Sequence, residues 1–195
     1  MFKRIAAIQV LANGAFLAAY TYISIFAEDA GLTRFQIALM ASLYAVAAFF
    51  SAYTFGRLAD RYGRRRILLI GLDLLIVLVA LQALSHNLAT FLTFRFLAGV
   101  GFGMFPAAMA AYAFEVKTKM GKFASFGALG WGIALLLSGM AAERFGVYSV
   151  FLFSAMMVAL ALFIAFTLRP IKERRILTPI LPVKMFMKNY RVLLP

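Results

Sequence analysis

Polar residues fall in short bands along this chain and leave six long apolar segments between them. These lie near residues 5–27, 36–56, 67–84, 88–114, 123–142 and 147–168. A helix needs about 20 apolar residues to cross the hydrocarbon core of a bilayer, and each segment is close to that or longer. The alternation expected of membrane β-barrel strands is absent. The polar bands run from Glu28 to Phe35, Arg57 to Arg66, Ser85 to Asn87, Glu115 to Lys122, and Glu143 to Gly146. Such short links make successive helices antiparallel, as in an up-down bundle. The pattern predicts an all-α polytopic bundle of six transmembrane helices.

Composition agrees: 65% of the residues are hydrophobic and only 14% charged, against about half and a quarter in soluble domains. The net charge of +13 would suggest nucleic acid in a soluble protein. Here the basic residues sit beside spans, as cytoplasmic loops of membrane proteins require, so no nucleic-acid partner is expected. One side of the bundle collects Lys3, Arg4, Arg57, Arg61, Arg64, Arg65, Arg66, Lys117, Lys119 and Lys122, together with the basic tail. The other holds only Arg34 and Arg144, while Arg95 lies inside a span. This asymmetry places the N-terminus and the tail in the cytoplasm, with the plasma (inner) membrane as the expected location. Lys3 and Arg4 precede a long apolar stretch without the short core and cleavage site of a signal peptide. With no cysteine in the chain, thiol chemistry is excluded.

One pattern occurs twice. Gly56-Arg57-Leu58-Ala59-Asp60-Arg61-Tyr62-Gly63 returns as Gly139-Met140-Ala141-Ala142-Glu143-Arg144-Phe145-Gly146. The first copy closes the second span and runs on into Arg64, Arg65 and Arg66; the second closes the fifth span without an arginine tail. Since those two ends face opposite sides, the chain reads as two three-helix units in inverted orientation, an architecture that recurs in secondary transporters. Beyond the sixth span, Pro170, Pro179 and Pro182 punctuate a basic stretch. Residues 169–195 read as a cytoplasmic linker leading toward a seventh helix.

The residues from Gly56 to Leu68 resemble the loop signature of the major facilitator superfamily, Gly-x-Leu-Ala-Asp-Arg-x-Gly-Arg-Lys-x-x-Leu, with Arg65 where Lys is usual. A second stretch, Arg95-Phe96-Leu97-Ala98-Gly99-Val100-Gly101, is similar to the family's Arg-x-x-Gln-Gly-x-Gly, except that Ala98 stands where Gln is preferred. The fifth span carries Gly127, Gly130, Gly132 and Gly139 but lacks the Gly-Pro of many antiporters. The resemblance covers residues 1–168 as the family's N-terminal six-helix half. It implies a C-terminal six-helix half missing from this chain and transport of a small-molecule substrate, with a proton as candidate coupling ion.

The gating loop that the resemblance implies comprises Gly56, Asp60, Arg61, Gly63, Arg64 and Arg65, with Asp60 and Arg64 helping to latch the outward-facing state. Positive-inside topology alone would explain the arginines, though not Asp60 or the glycines. Arg95 is the most expensive residue in the chain, since a mid-helix arginine costs about 2.5–3.5 kcal/mol on insertion scales. It either faces a cavity, with Gly99 on its face, or snorkels to the interface. Gln9, Asn13, Tyr20 and Ser24 fall in a narrow arc of the first span, at about 3.6 residues per turn. Gln9, Asn13 and Tyr20 are candidates for the substrate pathway, with hydrogen bonding between helices as the alternative. Asp73, the one acid inside a span, either binds a proton or pairs with the nearby arginines. His86 stands alone in a loop, Gly99-Val100-Gly101-Phe102-Gly103 has no preceding strand, and no hydrolase or phosphate-binding motif occurs. Neither metal nor cofactor is expected, and the reading is not an enzyme. It is a secondary active transporter working by alternating access. The alternatives are an uncoupled facilitator, a transporter-derived sensor, or a six-helix scaffold.

Overall fold

The computed structural model describes residues 1–169; the expected linker and approach to a seventh helix fall almost wholly outside them. Six helices occupy this range: α1 (Phe2–Asp29), α2 (Arg34–Tyr62), α3 (Arg64–Gln82), α4 (Leu88–Glu115), α5 (Met120–Phe145) and α6 (Tyr148–Phe166). All but α3 are long and apolar enough to cross a membrane; α3 carries Arg64, Arg65, Arg66 and Asp73. Large apolar side chains cover the outside, among them Phe49 and Phe50 on α2, Leu136 on α5 and Phe163 on α6. A bundle that is apolar both inside and out is suited to lipid.

Several helices outrun the apolar segments that announced them. Loss of hydropathy does not end a helix; loss of backbone hydrogen bonding does. The stretch from Arg57 to Tyr62, expected as loop, continues α2 for more than a turn, and only Gly63 separates it from α3. Where polar caps exist they are local. Thr33 and Gln36 bond reciprocally at the start of α2, and Asn87 and Thr90 at the start of α4, as in a capping box.

Neighbours in sequence are not the main neighbours in space. α1 packs on α5 and α6, α4 packs on α2 and α3, and α3 lies against α6, while α1 and α2 scarcely touch. Exchanging α1 with α4, α2 with α5 and α3 with α6 leaves this pairing scheme unchanged, as an inverted repeat requires. The two equivalent crossings use the same device. A Cβ built on Gly130 of α5 would run into the backbone of Val10 on α1, and one on Gly14 would lie 2.7 Å from the Gly130 carbonyl oxygen. At the α4–α2 crossing, a Cβ on Gly99 would lie 2.6 Å from the Tyr44 carbonyl oxygen. Small residues allow this approach where no water is expelled to drive association.

The repeated octet acquires a backbone reason at its last position. Gly63 has φ 111° and Gly146 φ 85°, left-handed values that favour glycine. Each amide donates to the carbonyl of the alanine four residues earlier, Gly63 to Ala59 at 3.0 Å and Gly146 to Ala142 at 2.9 Å. The first position has no such reason: a Cβ on Gly56 would meet nothing within 4 Å. Among the described residues nothing approaches closely enough at Gly56 to require a glycine there.

Candidate functional site

Two polar centres stand out, one at the basic end of the bundle and one buried within it. At the basic end, the break at Gly63 turns the chain so that Arg64 begins α3 beside the end of α2. Its guanidinium reaches Asp60 Oδ1 from Nη2 at 3.1 Å and from Nε at 3.3 Å. The same group donates to the Ala111 carbonyl at 3.0 Å and pairs with Glu115 Oε1 at 2.9 Å. One cation thus ties the ends of α2 and α4 to the start of α3. Asp60 is the exposed member, its side chain 57% accessible, so this carboxylate can also meet groups beyond α3. Glu115 was not among the sequence candidates; its place beside Arg64 depends on how α4 packs against α2 and α3.

The neighbouring arginines do different work. Arg61 lies over the Tyr62 ring at 5.6 Å and Arg57 over Tyr53 at 4.3 Å, and both are exposed. Arg65 turns instead to α6, where Nη2 donates to the Phe166 carbonyl at 2.8 Å. Arg4 on α1 donates to the Thr167 carbonyl at 2.7 Å, and the Tyr112 hydroxyl to the Arg169 carbonyl at 2.9 Å. These carbonyls close a helix whose last turn cannot satisfy them internally.

The buried centre is built around Arg95. It is 3% exposed, so it does not snorkel. Its guanidinium sits 4.3 Å from the Tyr44 ring centroid and 4.8 Å from that of Tyr20, and Nη1 donates to Gln82 Oε1 at 3.3 Å. Tyr20 and Tyr44 meet edge to face, and Phe16 stacks on Phe102 with centroids 3.8 Å apart. Side chains of α1, α2, α3 and α4 therefore converge on one cation. Gly99 contributes by bringing α4 close enough to α2 for Arg95 to reach Tyr44. Arg95, Tyr44, Gln82 and Phe102 help to line a cavity of about 20 Å³, room for one water-sized group. Among the described residues that line it, Arg95 alone is charged. Sequence reasoning missed Tyr44 and Gln82; a glutamine in the last turn of an otherwise apolar α3 was the available signal.

The polar stripe of α1 divides between environments. Tyr20 joins the arginine centre. Gln9 is buried toward α5, where its Nε2 would lie 3.2 Å from a Cβ on Gly127. Asn13 donates to the Gln9 carbonyl at 3.1 Å within the same helix, and Ser24 is exposed. Asp73 is exposed on α3 and makes no ion pair among the described residues. The expected pairing with the arginine cluster is not formed, because α3 turns this position away from α4 and α6.

Comparison with known proteins adds lineage to this geometry. The multidrug resistance protein MdtG of Dickeya zeae (strain Ech586) is 29% identical over 181 residues, 85% of this chain and 44% of that protein. The niacin transporter NiaP of Acinetobacter baylyi is 30% identical over 131 residues, 64% of this chain and 30% of its own length. Among solved structures, the proton:xylose symporter XylE bound to 6-bromo-6-deoxy-D-glucose superposes with a TM-score of 0.67 at 17% identity. That superposition covers 85% of this chain and 44% of XylE, and at such identity it speaks for the fold alone. The chain spans less than half the length of these relatives. A family model described as Major Facilitator Superfamily matches residues 5–189, and with the inverted six-helix fold in place this chain belongs to that superfamily.

Proposed function

We propose that the complete protein is a secondary active transporter that moves a small solute across the plasma (inner) membrane by alternating access, with the basic end of this bundle in the cytoplasm. The observation that carries this reading is the charge junction at Arg64. Alternating access needs contacts at a bundle end that form in one state and break in another. A guanidinium shared between Asp60 and Glu115 supplies charge-assisted bonds, and the exposure of Asp60 leaves it open to exchange of partners. Gly56, whose surface is unobstructed, together with Arg61, Gly63 and Arg65, completes the gating segment. Arg95 and Gly99 form the cavity side of the mechanism, and Gln9, Asn13 and Tyr20 the solute pathway, shared with a second six-helix half as the greater length of the relatives suggests. Asp73 faces away from this pathway, so a proton would be coupled elsewhere.

The test is flux in proteoliposomes containing the full-length protein, with and without an imposed proton gradient. Gradient-dependent accumulation supports coupled transport, and passive equilibration supports an uncoupled facilitator. Absence of flux across a broad solute panel would favour a sensor or scaffold. Asp60→Asn should insert and fold normally while flux falls sharply; unchanged flux in that variant removes the latch.

A further inference from the structure

We infer that Arg95 and Tyr44 form a binding site for a compact monovalent anionic group, covered by Tyr20. Two donors in this buried centre reach no protein acceptor: Arg95 Nε and the Tyr44 hydroxyl. The guanidinium carries a permanent charge and can only donate. What faces it is neutral on every side, with Tyr20 from α1, Tyr44 from α2 and Gln82 from α3. The positive charge of Arg95 is therefore uncompensated among the described residues, in a setting where an anion would be held strongly. Gln82 and Phe102, both uncharged, line the same cavity.

Size narrows the ligand. A cavity of about 20 Å³ admits one water-sized group, which suits a halide as it stands and the head of a carboxylate once Tyr20 moves. Tyr20 is 37% exposed while Arg95 is 3% exposed, so Tyr20 lies on the open side of the cation. Aromatic faces attract a cation weakly compared with an anion in direct contact. An anion that moves Tyr20 aside replaces the weaker partner with the stronger. The role in solute selection rests on the transport reading above, with organic anions as the favoured substrate class; the binding itself does not depend on it.

Thermal unfolding of the purified full-length protein tests the site, with chloride, formate and benzoate as probes, benzamide as the neutral control, and ionic strength held with sulfate. Benzoate and formate are expected to raise the unfolding midpoint at millimolar concentration while benzamide does not. Protection by chloride and formate alone assigns a free small ion, and protection by benzoate as well assigns the carboxylate of a larger solute; both support the site. Arg95→Gln should weaken binding about 10–100-fold, the range for hydrogen bonds to charged groups. Should that variant fail to fold, Tyr44→Phe serves in its place: its hydroxyl has no protein partner to lose, and binding should fall about 5-fold. Tyr20→Leu should tighten binding about 3-fold by removing the competing ring. Equal protection by benzamide, or protection undiminished in both Arg95→Gln and Tyr44→Phe, overturns the site and leaves a water as the partner of these donors. Anion protection without flux of any solute would preserve the site and remove the transport reading. Flux of a neutral solute without anion protection would do the reverse.

Discussion

Arg64, the first residue of α3, and Glu115, the last of α4, form an ion pair of 2.9 Å with each side chain 22% exposed. The same guanidinium serves Asp60 and the Ala111 carbonyl. Removing the cation leaves both carboxylates without it, whereas altering Glu115 releases one acceptor among several. Arg64→Ala is therefore expected to cost about 1–3 kcal/mol of stability, and Glu115→Gln less than about 1 kcal/mol. Unfolding in detergent checks the order, and a double-mutant cycle on the pair should give a coupling of about 0.2–1 kcal/mol. Equal losses from the two variants would show that the shared geometry has no energetic consequence.

Glycines separate packing from gating. At Gly130 a Cβ would strike the Val10 backbone, and at Gly103 it would lie 2.6 Å from Ser51 Cβ. Either substitution to alanine must push two helices apart, at about 1–3 kcal/mol. Gly56 meets nothing within 4 Å, so Gly56→Ala should gain up to about 1 kcal/mol from helix propensity. Its gating assignment nevertheless requires flux to fall. Retained or raised thermal stability with reduced flux is the expected pair of results; unchanged flux would place Gly56 outside the gate.

The fold was legible because a membrane chain must form long apolar helices with internally bonded backbones, and the repeated octet marked where two equivalent helices end. Partnership was less legible. Asp60 and Arg64 are one helical turn apart and could be paired on paper, whereas Glu115 reaches Arg64 only through the packing of α4. Arg95 advertised itself by cost, yet Tyr44 and Gln82 carry no local sign of converging on it. Asp73 shows the limit most plainly. It stands between Leu72, which is buried, and Leu74, which is not, and α3 is apolar on both sides. Its outward direction follows from which face α4 and α6 cover, a fact of three-dimensional packing.

The two copies of the octet make a quantitative comparison possible. Gly63 and Gly146 both hold left-handed φ values at helix ends, so alanine at either should cost about 1–3 kcal/mol through backbone strain. The functional consequences should differ. Gly63→Ala disturbs the turn that delivers Arg64 to Asp60, whereas Gly146→Ala disturbs a turn whose Arg144 forms no ion pair among the described residues. Similar losses of stability with a larger loss of flux for Gly63→Ala would locate the latch at the basic end. Equal loss of flux would make both turns structural.

The end of α6 offers the last test. The carbonyl of its last residue, Phe166, and those of Thr167 and Arg169 just beyond it accept from Arg65, Arg4 and Tyr112, which belong to α3, α1 and α4. Cations beside a helix C-terminus also oppose its partial negative charge. Three helices thus hold the end of α6 in place. Arg65→Ala removes one donor from a half-buried site, and about 1 kcal/mol of local stability should go with it. Amide exchange at Thr167 and Leu168, whose N–H groups bond to Ile164 and Ala165, should then quicken about 5-fold. Exchange in the middle of α2 should stay the same. Arg65→Lys keeps the charge but loses the planar fork that reaches the carbonyl, so it should recover only part of the protection. Full recovery by lysine would show that charge near the helix end, rather than the directed hydrogen bond, holds α6 in place.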